Sequence, residues 1–117
     1  MLDTSNNRFI LYEPEPGVCE AQVAIADSLG LHARPAALLA RAAQQFEAEL
    51  FISAAGQRAD AKSILDILSL SAGRGTVLSL RAEGKDCAAA VRTLAELILT
   101  RFREDEDEAA STAEEAL

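Results

Sequence analysis

From Cys19 the chain alternates: Cys19, Ala21, Val23 and Ile25 are interleaved with Glu20, Gln22 and Ala24, the period of two that predicts a half-buried strand over 19–26. The period then changes. Ala36, Leu39, Ala43 and Phe46 recur at helical spacing, Gly30 punctuates the approach, and Pro35 stands where a first helical turn tolerates its missing N–H. These features predict a helix over 33–46 whose alanines supply much of its propensity. Leu50–Ser53 and Arg58–Ala61 then form two short strand candidates around Ala55-Gly56, a hairpin signal.

Ser63 and Asp66 approximate the capping pattern ahead of Ile64-Leu65-Asp66-Ile67-Leu68-Ser69-Leu70, a short second helix that ends near Gly73 and Gly75. At about 100° per residue, Ile64, Leu65 and Leu68 point to one sector and Ile67 and Leu70 to another, and only one stripe need face the core. Thr76–Ala82 predicts a fourth strand with Leu78, Leu80 and Ala82 on one face, turned by Glu83-Gly84-Lys85. Asp86 offers an N-cap for a last helix over 87–103, in which Val91, Leu94, Ala95, Ile98 and Phe102 keep helical spacing. The order βαββαβα folds most economically as an α+β open-faced sandwich, a four-stranded, largely antiparallel sheet with three helices on one face.

Both ends fall outside this pattern. Residues 1–18, with Pro14 and Pro16 flanking Glu15, read as an extended or disordered lead-in, and residues 104–117 as a disordered acidic tail, leaving one domain over 19–103. A chain of 117 residues, 50% hydrophobic, with a mean hydropathy of +0.07, supports one such core and not two. The net charge of −8 argues against a phosphate-backbone binder, and 4% aromatics with no Trp argue against a base-stacking platform. The acid is unevenly placed, however: the tail carries seven acids and no base, whereas residues 19–103 hold nine acids and ten bases. A near-neutral body can present a local basic site to an anion.

The start of the chain lacks the basic and apolar regions of a signal peptide, and no apolar run is long enough for a membrane span, so a cytoplasmic protein without membrane insertion is expected. Cys19 and Cys87 show no C-x-x-C spacing and are expected to be reduced, mostly buried thiols.

The single histidine stands at the first strand-to-helix joint, in Leu29-Gly30-Leu31-His32-Ala33-Arg34-Pro35-Ala36. A helix N-terminus gathers unpaired N–H donors and the positive end of the macrodipole, a ready place for an anion such as phosphate. That field also favours the neutral, nucleophilic imidazole, and Arg34 can donate hydrogen bonds to an oxyanion. Taken alone, a lone histidine more often caps a helix or fills a surface niche. No neighbouring cysteines or clustered carboxylates complete a metal site around it, and none is expected.

These residues resemble the HPr family, the histidine phosphocarriers of the bacterial phosphoenolpyruvate-dependent sugar phosphotransferase system, and its nitrogen-branch relatives. The resemblance rests on Gly30-Leu31-His32-Ala33-Arg34-Pro35-Ala36, on Lys62-Ser63-Ile64, on Gly75, and on Ala82-Glu83-Gly84 before the last helix, and it covers about 19–102. It implies the βαββαβα sandwich and a carrier, not an independent enzyme, with no cofactor. His32 would accept a phosphoryl group from phospho-enzyme I and pass it to an enzyme IIA-type protein. Arg34 would steady the phosphoryl oxygens, with Gly30, Ala33 and Pro35 shaping the cradle. Ser63 matches a position modified by an HPr kinase/phosphorylase, which makes a regulatory module, read by a transcriptional regulator, the alternative function. Ile64, Leu65 and Leu68 match the family's docking patch. Asp66 departs from the pattern, placing an acid inside the docking helix. A carrier that meets successive partners through brief contacts is expected to be a monomer.

Overall fold

A computed structural model describes residues 9–25 and 31–101. In chain order the elements are β1 (Tyr12–Glu15), β2 (Val18–Ala24), α1 (Ala33–Ala43), β3 (Glu49–Ala54), β4 (Gln57–Asp60), α2 (Ile64–Ser69), β5 (Val77–Glu83) and α3 (Cys87–Glu96). A wider π-helical turn over Leu97–Arg101 continues α3. The strands form one antiparallel sheet in the order β1-β2-β5-β3-β4.

The alternation read in the sequence is what sorts the faces. Ala21, Val23, Leu50, Ile52, Leu78, Leu80 and Ala82 point into the core, where they meet Leu39, Ile67, Val91 and Leu94 from the helices. The other face stays open, and on it Arg81 bridges Glu20 of β2 and Glu83, an arrangement that raises the Arg81 pKa through hydrogen bonds to Glu83 first and Glu20 second. Such half-exposed pairs contribute little stability. The hairpin between β3 and β4 turns where expected, with Ala55 at φ 50° and Gly56 at φ 83° supplying the left-handed pair that a two-residue connection needs.

The sheet has five strands, not four. β1, inside the expected lead-in, pairs with β2 through Tyr12↔Glu20 and Glu15↔Val18, with an irregularity between them. All four of its residues are exposed, so it carries no alternation to read, and Pro14 is tolerated because an edge strand needs no outward ladder bond. Phe9 and Leu11, just before it, are buried in the core. Residues 1–8, the joint 26–30 and everything after 101, including Gly30 and the acidic tail, lie outside the described residues.

Helix α1 ends at Ala43, short of the predicted Phe46, because Gln45 and Phe46 donate to Ala42 and Ala43 in tighter three-residue turns. Helix α3 is regular only to Glu96, against the predicted 103.

Asp86 holds the N-cap position of α3 but its side chain makes no cap bond. Its carboxylate instead accepts the backbone N–H groups of Glu47 and Ala48, both at 2.8 Å, tying the start of α3 to the entry of β3. The bond from Glu47, helped by that from Ala48 and by the charge of Lys62 and opposed by burial, holds the Asp86 carboxyl below its ordinary value of 3.8. A depressed carboxylate contributes stability that is fully present above the unfolded value and is lost as pH falls from there through the lower folded value. Thermal melts through the acid range below about pH 4 should therefore show a shallower pH dependence for Asp86→Asn than for the parent chain. Equal slopes would show that the two bonds do not act on stability.

Candidate functional site

Ile25 and Leu31, the described residues before and after 26–30, are held by the loop that follows α2. Ile25 N–H donates to Thr76 O at 2.9 Å, Gly75 N–H to Ile25 O at 2.8 Å, and Leu31 N–H to Ala72 O at 2.8 Å. Gly75 sits at φ 86°, a conformation that glycine alone adopts without cost, and this gives the Gly75 of the sequence motif its physical reason. Gly73 was legible only as an end to the second helix and Thr76 only as the start of a strand, and neither signalled that the loop would frame the histidine.

His32 occupies the N-cap of α1 in extended backbone, φ −111° and ψ −171°, and its carbonyl takes the first helical bond, from Ala36 N–H at 3.0 Å. The imidazole makes no cap hydrogen bond, which removes the capping explanation for its presence. Its Nε2 is buried and has no hydrogen-bond partner among the described residues. Leaving such an atom unsatisfied costs about 1–3 kcal/mol, a cost without structural return.

Around the histidine the first turn of α1 is prepared for an anion. Ala33 and Arg34 are exposed, and their N–H groups precede the first intrahelical bond. Pro35, buried against the core, has no N–H to lose. No acidic side chain stands in this turn to offset the positive end of the helix. Among the described residues the one cluster of metal-ligating groups is Glu13, Cys19 and Cys87, and it does not include His32.

Helix α2 runs back along α1. Its Ser63 end meets the far end of α1, where Gln44 Nε2 donates to Lys62 O at 3.0 Å and Lys62 Nζ to Phe46 O at 2.8 Å. Its other end leads into Ala72 and the histidine. Ser63 Oγ accepts Asp66 N–H at 3.2 Å, as the capping pattern predicted. The acid of Asp66 also has local work: its carboxylate accepts Asp60 N–H at 3.2 Å and so holds the turn from β4 into α2.

The two stripes of α2 separate as the helical angle required. Ile67 and Leu70 are buried, whereas Ile64 is 42% and Leu65 78% exposed, with Leu68 half-buried between them. Ile64 and Leu65 thus lie on the outer side of a helix that leads to His32, while Leu68 packs partly against the core.

No helix among the described residues is long and apolar enough to cross a membrane. Residues 19–100 match the family model described as PTS HPr component phosphorylation site. The chain is 37% identical over 86 residues to the phosphocarrier protein HPr of Xylella fastidiosa, covering 74% of this chain and 97% of that one. It is 41% identical over 75 residues to the HPr-like protein Crh of Halalkalibacterium halodurans, covering 64% of this chain and 89% of that one. A crystal structure of HPr from Thermoanaerobacter tengcongensis superposes with a TM-score of 0.68 at 38% identity, over 71% of this chain and 93% of that one. With the antiparallel sheet, the three helices and most of the length in agreement, the chain belongs to the HPr family, phosphocarriers of the phosphotransferase system that hand on a phosphoryl group and are not independent catalysts.

Proposed function

We propose that His32 carries the phosphoryl group, accepting it from the phosphohistidine of an enzyme I charged by phosphoenolpyruvate and passing it to a histidine of an enzyme IIA-type protein. The observation that carries this reading is an imidazole at the head of α1 that caps nothing, set beside free backbone donors and an exposed arginine. Because Nε2 is shut in, the reading assigns the phosphoryl to Nδ1. The Nδ1 lone pair attacks phosphorus, the bond from phosphorus to the donor imidazole breaks, and the donor nitrogen recovers the electron pair. Arg34 and the amides of Ala33 and Arg34 steady the oxygens, where charge is spread in the transition state. Gly30 would let the loop approach closely. The same steps, reversed in direction, deliver the group to the acceptor, so the bond must be labile and the contacts brief.

Incubation of the purified chain with enzyme I, magnesium and phosphoenolpyruvate should add one acid-labile phosphate, and a IIA-type acceptor should remove it. A folded sample that no enzyme I source labels would overturn the reading.

Ile64, Leu65 and Leu68 would dock both partners, through a small surface suited to weak, transient association by a monomer. Leu65→Asp should slow charging by enzyme I about tenfold or more. It should change stability by no more than about 0.5 kcal/mol, because the side chain is 78% exposed. Ile67→Ala, on the buried stripe, should do the opposite and cost about 2–5 kcal/mol of stability. Stopped-flow charging beside urea titration separates the two, and an undiminished rate for Leu65→Asp would sink the docking assignment.

The likeness to an HPr-like protein named Crh favours a second reading, regulation through Ser63. A phosphate there would add a dianion next to Asp66 and beside Ile64 and Leu65, repelling an acidic partner and favouring a basic one. An HPr kinase/phosphorylase would supply it and a transcriptional regulator would recognise it.

A further inference from the structure

Cys19, in β2, and Cys87, in the first turn of α3, are separated by 68 residues, yet their Sγ atoms lie 3.0 Å apart. Both side chains are buried. The surrounding frame, more than their own contact, puts them together. Cys19 pairs with Ala82 of β5. Beyond β5, Gly84 N–H donates to Gly17 O at 2.8 Å and Cys87 N–H to Gly84 O at 3.1 Å. An added Cβ on Gly84 would stand 2.8 Å from Ala48 Cα, so the turn packs too tightly for any other residue. The two bonds to Asp86 hold the same corner from the other side. The carrier chemistry uses none of this, since His32 follows the opposite end of β2.

We propose that Cys19 and Cys87 are a site of reversible disulfide formation in the folded protein, oxidised by a small peroxide. Closing 3.0 Å to a bonded separation of about 2.05 Å asks for roughly 1 Å of movement from side chains already facing one another. One sulfur attacks the O–O bond of the peroxide, giving a sulfenic acid and water. The second sulfur attacks the first and displaces the hydroxyl, which leaves as a second water. Two thiols and one hydrogen peroxide thus yield one disulfide and two waters, with two electrons passing from sulfur to oxygen.

The groups that face the pair set its character. The Glu13 carboxylate lies within 4.8 Å of both sulfurs, and Arg92 opposes it electrostatically. Burial, then the hydrogen bond and charge of Cys87, then Glu13, push the Cys19 thiol up to about 12. Thiols shut away from water react slowly and exclude bulky disulfide reagents, which is why a small oxidant is specified. The cross-link would enclose α1, α2 and the three strands β3 to β5 in one loop. It would constrain the unfolded chain and leave the face around His32 unchanged.

The test treats the folded full-length chain with hydrogen peroxide at neutral pH, alkylates remaining thiols in denaturant, and reads intact mass, peptide map and thermal midpoint. Expected are the loss of two hydrogens per chain, a Cys19–Cys87 linked peptide, and a midpoint raised by about 5–15 °C that returns on reduction by dithiothreitol. Cys19→Ser and Cys87→Ser should each abolish the mass change. A sulfinic acid on one cysteine without cross-link, only intermolecular dimers, or a cross-link that lowers the midpoint would overturn the proposal. So would one equivalent of zinc retained by the purified chain and released as the thiols react, since the two sulfurs and Glu13 would then be a metal site. These readouts are independent of phosphoryl transfer, so the two proposals fail separately.

Discussion

His32→Ala should carry no acid-labile phosphate after exposure to enzyme I and phosphoenolpyruvate, while keeping its fold. The loss is complete in this account because the chain has one histidine and no second imidazole can substitute. The fold is spared because the imidazole makes no cap bond and the helix bond at this residue uses the backbone carbonyl. Removing the enclosed Nε2 also removes an unsatisfied atom, which offsets some of the packing lost with the ring. The net stability change should stay within about 1 kcal/mol. Intact mass and a denaturant titration on the same preparation check both halves. Full-stoichiometry charging of the variant would remove His32 from the mechanism, and an unfolded variant would show that the imidazole has a structural task.

Arg34→Ala should leave the site chargeable but slow. Arg34 is exposed at the first turn of α1, where a guanidinium can meet phosphoryl oxygens in a forked geometry that no backbone amide reproduces. Loss of one preorganised donor at a developing oxyanion costs about 3 kcal/mol, or roughly a hundredfold in rate. Arg34→Lys should recover part of this, since it returns the charge without the fork. Single-turnover transfer from phospho-enzyme I distinguishes the outcomes. A rate unchanged in Arg34→Ala would leave the amides and the helix end as the only stabilisers.

Where neighbouring residues decide the structure, the sequence could be read. The alternation of β2 and β5, the turn at Ala55-Gly56, the proline in the first turn of α1 and the Ser63 cap all stand within a few residues of their causes. So does the split of α2 into a buried stripe and an exposed one, which follows from helical angle alone. What escaped depends on contacts made across the fold. β1 has four exposed residues and a proline, so its pairing with β2 leaves no period to detect. Asp86 satisfies the local rule for a helix cap, yet two amides from the entry of β3, brought to it by the sheet, compete successfully for its carboxylate. The loop after α2 frames the histidine through backbone bonds to Ile25 and Leu31, and backbone bonds carry no side-chain signature except at Gly75. The two cysteines show no motif in sequence and meet only once β2, β5 and α3 are assembled.

The central claim is that the phosphoryl group rides on one nitrogen of one side chain. Nuclear magnetic resonance of the charged, nitrogen-labelled protein reads this directly from phosphorus–nitrogen coupling and from the shifts of the two imidazole nitrogens. The account predicts phosphorus bonded to Nδ1 of His32, with Nε2 still enclosed. Phosphorus on Nε2, or on Ser63 Oγ after charging by enzyme I, would contradict it.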